Sequence, residues 1–170
     1  IHSFLMAPLP LNAFKNTPSE VAELASMSME LLSMEGWQHY FDSTDELNRA
    51  KLEQIEGVIN TLPWIATVDA FQHWIYENPT HSRSERMNAW NKIQERFGTG
   101  LVDYTDLEFA KNHGWHRQLH IFEVPFYYIE YAIAQLGALA VWRNYCQNPT
   151  QALDQYLNAL SLGYTKPIKE

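Results

Sequence analysis

The chain has 170 residues, 46% apolar and 19% charged, with a net charge of −8. That length supports one core of ordinary size, the composition excludes a disordered polymer, and the acidic balance argues against a nucleic-acid partner, which would need clustered Lys and Arg. A lone cysteine, Cys146, excludes an internal disulfide and a cysteine-based zinc site, and reads as a small buried hydrophobe.

The opening IHSFLMAPLPLNAF has neither a basic start nor a small-residue cleavage pattern, so no signal peptide is expected. Pro18-Ser19-Glu20 opens a helical pattern that runs to Glu35 and stops at Gly36. Ser43-Thr44-Asp45-Glu46 opens a second, amphipathic one carrying Leu47, Leu52, Ile55, Val58 and Ile59. Pro63 is expected to separate it from a third, Trp64 to Tyr76, which Asn78-Pro79 ends. Ser82-Arg83-Ser84-Glu85 has the capping-box pattern, and its helix should stop at Gly98. Residues 98–112 read mostly as loop. A long helix should follow Pro125, and its nearly all-round apolar pattern predicts the most buried element of the chain. Glu130 and Gln135 interrupt that apolar run, so it reads as a core helix and no membrane partner is expected. A last helix should follow Asn148-Pro149-Thr150 and end near Gly163. The fold class is therefore all-α, one compact unit over 1–170 with six or seven helices.

Three groups of residues could carry chemistry. Glu23 and Glu30 are seven apart in the first pattern, about 20° apart on one helical stripe. If that stripe faces water they are ordinary surface acids; if it is buried they need a cation, a metal or a proton. His116 and His120 are four apart, the ligand spacing of H-E-x-x-H zinc peptidases, but Arg117 stands where the glutamate would be and opposes a metal. In the long helix Tyr128 and Tyr131 share a stripe with Gln135, and Tyr127 with Tyr131 is the competing pair. Such phenols are either core groups bonded to backbone or a row of neutral donors facing a cavity. Ala134, Gly137 and Ala138 would let another helix approach closely.

Two segments go beyond periodicity. Glu23-Leu24-Ala25-Ser26-Met27-Ser28-Met29-Glu30 resembles the E-x-x-S-x-x-x-E segment of the thimet oligopeptidase and oligoendopeptidase F family of zinc metallopeptidases. His120-Ile121-Phe122-Glu123-Val124-Pro125-Phe126-Tyr127-Tyr128-Ile129-Glu130-Tyr131, with Ala134-Gln135-Leu136-Gly137-Ala138, resembles the C-terminal substrate-binding segment of its oligoendopeptidase F and Pz-peptidase branch. Ile1-His2-Ser3-Phe4 is similar to the end of the H-E-x-G-H-x-x-H motif, in which His2 would be the last, non-ligating His.

The resemblance implies the C-terminal part of a zincin-type catalytic domain that cleaves short peptides. Glu23 is then the third zinc ligand, and Glu30 a carboxylate that orients a ligand His. His120, Tyr128 and Tyr131 hold substrate and the oxyanion, and Tyr127 is the alternative if the register slips by one. No H-E-x-x-H occurs in the chain, so the zinc site is expected to be incomplete and the chain inactive alone. Its expected partners are short peptides and the missing N-terminal part of the peptidase, and its expected location is cytoplasmic. The competing reading is a non-enzymatic helical module that binds a peptide or protein.

Overall fold

The computed structural model describes residues 1–167. They form eight α-helices joined by turns of 3-10 helix, with no strand among the described residues. In chain order these are α1 (His2–Leu5), α2 (Ser19–Ser33), α3 (Thr44–Glu77), α4 (Arg83–Phe97), α5 (Glu108–Asn112), α6 (His120–Glu123), α7 (Ile129–Gln147) and α8 (Pro149–Ser161). The all-α expectation holds; α2, α3, α4, α7 and α8 are the longer helices, and α1, α5 and α6 are single turns. The sequence reads as one unit; spatial proximity groups the residues into two, Ile1–Leu52 with Ile133–Glu170, and Glu53–Ala132.

In the first unit Ala25, Tyr156 and Leu160 make one buried cluster, with Leu5, Val141 and Leu157 against it. The Tyr156 hydroxyl donates to the Ala25 carbonyl at 2.8 Å, which satisfies its polar end inside the core. Leu31, Met34 and Ala138 make a second cluster, flanked by Met27, Trp37, Leu139 and Trp142. The small residues of α7 act as expected: Ala134 and Ala138 are fully buried, and a Cβ on Gly137 would lie 2.3 Å from Leu24 Cδ1. α8 starts where predicted, with Asn148 accepting from the Gln151 amide and Pro149 in its first turn.

The core of the second unit is aromatic. Phe71, Trp90 and Trp115 are buried, packed by Trp64, Trp74, Ile75, Ile93 and Ile121. Phe71 and Trp90 meet edge to face at 5.1 Å between ring centroids, and the Trp90 indole donates to the Lys111 carbonyl at 2.9 Å. Ser82 caps α4 with the reciprocal Glu85 hydrogen bonds that define a capping box, and Gly98 ends it. A Cβ on Gly98 would lie 2.7 Å from the Gln94 carbonyl oxygen, so glycine is required there by close approach.

Five expectations are corrected. The helix of Pro18-Ser19-Glu20 does not stop at Gly36 but tightens into 3-10 helix over Met34–His39. Pro63 does not divide two helices; α3 runs through it. The carbonyl that its missing N–H frees belongs to Ile59, on the exposed side of the helix where water can satisfy it. Val58, Ile65, Val68 and Phe71 are all buried on either side, and their burial offsets the break. The long helix begins at Ile129 because Phe126 adopts a left-handed φ of 62° that no helix can contain. Nor is α7 the most buried element: Ile133 and Leu136 are 52% and 59% exposed. Cys146, near its C-terminal end, is exposed. No helix of the described residues is long and apolar enough to cross a membrane.

Candidate functional site

The second unit gathers His120, Tyr127, Tyr128 and Tyr131 into one cluster. The segment between α6 and α7 turns sharply, and the left-handed Phe126 lets Tyr127 and Tyr128 fold back toward His120. The turn is pinned to α3: the Phe126 amide donates to the buried Gln72 Oε1 at 2.9 Å. The Phe126 ring packs against His73 and Tyr76, each 5.0 Å away between centroids. The His120 ring lies 4.9 Å from that of Tyr128, 5.6 Å from Tyr131 and 6.3 Å from Tyr127. His120 Nε2 and the Tyr131 hydroxyl are 3.4 Å apart. Tyr131 contacts both other tyrosines, at 5.3 Å to Tyr128 and 5.7 Å to Tyr127, but Tyr127 and Tyr128 precede α7, so the helical stripe read from the sequence does not account for the contacts.

All four residues are half-buried, neither sealed in a core nor free on the surface. Burial raises the Tyr128 pKa above its ordinary value, opposed in part by a hydrogen bond with Trp64 and by the positive charge of Arg117. Tyr128 therefore remains a neutral phenol, able to donate, throughout the neutral range.

Three residues that the sequence pattern did not single out for this site buttress it. Trp64, on α3, donates its indole N–H to Gln118 Oε1 at 2.9 Å. Gln118 Nε2 lies 2.7 Å from His120 Nδ1. The Arg117 guanidinium stacks on the Trp64 ring at 3.9 Å, which helps to hold the indole in place. Trp64 and Gln118 are 54 residues apart, and no spacing rule connects them.

His116 and His120 do not share a helix face. His116 lies in a 3-10 turn, Gly114–Arg117, and His120 opens α6; extended Gln118 separates them. The His116 ring packs instead on Trp115 at 4.0 Å and His113 at 5.1 Å.

Glu23 and Glu30 belong to the first unit, on α2. Glu23 is half-buried and Glu30 exposed, so the stripe they share is neither wholly solvated nor wholly enclosed. Among the described residues no three or more His, Cys, Asp and Glu side chains are grouped to hold a metal.

The helical architecture is that of solved peptidases. A Pz peptidase A determined with an inhibitor superposes with a TM-score of 0.88 and 29% identity, over 99% of this chain and 30% of its own. A protein assigned as an oligoendopeptidase F gives 0.83 and 27%, over 99% of this chain and 29% of its own. One from Bacillus anthracis gives 0.73 and 26%, over 99% and 26%. No curated protein matches the sequence. Residues 1–170 match Peptidase family M3, and the chain belongs to that family. It spans about 30% of the length of the first of these relatives.

Proposed function

We propose that the chain is the C-terminal portion of a zinc-dependent oligoendopeptidase that hydrolyses short peptides, and that its part is to supply oxyanion donors and one metal ligand. The observation that carries this reading is the half-buried cluster of His120 with three tyrosines, on a chain of a peptidase family. An imidazole N–H and phenol hydroxyls are donors that add no negative charge where a carbonyl oxygen becomes an oxyanion. His120, Tyr128 and Tyr131 carry that role, with Tyr127 the alternative contact to the peptide. A surface docking residue would need neither a raised phenol pKa nor an imidazole held on one nitrogen by a side-chain amide.

Glu23 is the proposed zinc ligand, and Glu30 the carboxylate that orients a ligand histidine. The described residues do not complete a metal site by themselves, so the remaining ligands and the base belong to the N-terminal part of the peptidase. Bound zinc would supply an activated water; this chain's own residues orient the peptide and stabilise charge. A cytoplasmic location fits an acidic chain with one exposed cysteine.

The test is steady-state kinetics of the full-length peptidase on a short fluorogenic peptide. His120→Ala and Tyr131→Phe should each lower kcat on the order of 100-fold, with smaller changes in KM. Unchanged kcat in both variants would overturn the reading.

A further inference from the structure

The hydrogen bonds behind His120 form a directional relay whose polarity chemistry alone decides. An indole N–H can only donate. The atom of Gln118 that faces Trp64 at 2.9 Å must therefore be its carbonyl oxygen; a flipped amide would set two N–H groups against each other. With its oxygen committed to Trp64, Gln118 presents N–H to His120 Nδ1 at 2.7 Å. Nδ1 must then accept, since a proton there would face the amide's own N–H. The imidazole proton is thereby assigned to Nε2, the nitrogen that faces the Tyr131 hydroxyl.

We infer that Trp64 and Gln118 are positioning residues that lock His120 in the Nε2–H tautomer, so that the nitrogen on the tyrosine side always donates. This rests on the reading of the cluster as substrate-facing, and gives it a specificity: the partner at Nε2 must be an acceptor, as a peptide carbonyl or its oxyanion is. It also assigns Arg117 a place, since its stacking at 3.9 Å on the Trp64 ring fixes the indole that starts the relay. The arrangement parallels the way a ligand or catalytic histidine is set by the hydrogen bond at its other nitrogen, with a neutral amide in place of the usual carbonyl or carboxylate. A carboxylate in place of Gln118 would accept from Nδ1–H and leave Nε2 bare, which is the wrong polarity for holding an oxyanion.

The experiment is 15N-histidine labelling of the full-length peptidase, with long-range 1H–15N spectra above the histidine titration range. His120 should show a protonated Nε2 and a bare Nδ1. In Gln118→Glu the two signals should exchange character, and kcat should fall on the order of 10- to 100-fold with little change in KM. Trp64→Phe keeps the ring but removes the donor; the amide is then free to turn, and the 15N pattern should average between tautomers. This second variant remains informative if Gln118→Glu fails to fold. A protonated Nδ1 in the unsubstituted protein, or a 15N pattern unmoved by either substitution, would overturn the proposal. If the 15N pattern behaves as stated while His120→Ala leaves turnover intact, the relay stands and the functional reading of the cluster is the part that fails.

Discussion

Tyr128 shows how one half-buried side chain joins stability to chemistry. Burial raises its pKa above 10.0, the ordinary value, so the folded chain holds the phenol proton more tightly than the unfolded chain. The stability this contributes is complete below the unfolded value and is lost as pH rises through the folded one. Tyr156 behaves alike through burial, and Tyr145 through its hydrogen bond to Glu35. Thermal midpoints should therefore fall as the pH rises above about 10. Tyr128→Phe should reduce that fall without abolishing it, because two raised phenols remain; an unchanged alkaline slope would remove Tyr128 from the account. His120 and the tyrosines were legible in the sequence because they lie within twelve consecutive residues of a recognisable segment. Trp64 and Gln118 were not, since their pairing joins α3 to a segment 54 residues further on, and no local period records it. Phe126 was illegible for another reason: a bulky residue at φ 62° is disfavoured locally, and tertiary anchors at Gln72, His73 and Tyr76 offset the strain.

At the scale of elements, two helices carry local conflicts that packing overrides. Pro63 sits inside α3, where it removes a backbone hydrogen bond at an intrinsic cost of about 3 kcal/mol. Pro63→Ala should stabilise the chain by roughly 2 kcal/mol, once the greater freedom of the unfolded alanine chain is subtracted. Urea midpoints measure this, and a loss of stability would mean that the proline geometry itself places Trp64. The break read at Pro63 failed because propensity is weak beside the buried run from Val58 to Phe71. In α7, Gly137 is the reverse case. Alanine there would gain about 1 kcal/mol of helix propensity, but its Cβ would press on Leu24, with Cγ at 3.1 Å and Cδ1 at 2.3 Å. Overpacking of this kind costs about 1–3 kcal/mol, so Gly137→Ala should be neutral to destabilising. Gly137→Ala combined with Leu24→Ala should be more stable than the two single effects add to, because the second change clears the space the first needs. Strict additivity in that cycle would show that Leu24 moves aside at no cost. The close helix approach was legible from the small residues of α7. Its starting residue was not, since Pro125 suits a first turn equally well and only the Phe126 backbone decides.

For the whole molecule, the proposed function turns on what the chain carries and what it lacks. Apolar side chains at Leu119, Phe122, Ile133 and Leu136 are more than half exposed, which explains why α7, apolar nearly all round, is less enclosed than its sequence pattern suggests. A family relative is more than three times as long as the part this chain spans. The proposed function bears on catalysis in the same way. Peptide hydrolysis by this class of site needs an activated water, a base for its proton, and donors for the oxyanion. The chain offers candidates for the donors and, in Glu23, one proposed metal ligand, while H-E-x-x-H is absent and the described residues group no three metal-ligating side chains. One carboxylate does not replace the three protein ligands of a catalytic zinc site. The purified 170-residue chain should therefore show no peptide turnover, and turnover insensitive to chelator would overturn this account. In the full-length peptidase, activity should depend on Glu23, and Glu23→Gln should lower the zinc retained on dialysis, because a neutral amide is a poorer ligand than a carboxylate. Tyr131→Phe should leave that zinc content unchanged while lowering kcat. The two substitutions thus separate the two contributions proposed for the chain, metal binding by Glu23 and charge stabilisation by Tyr131.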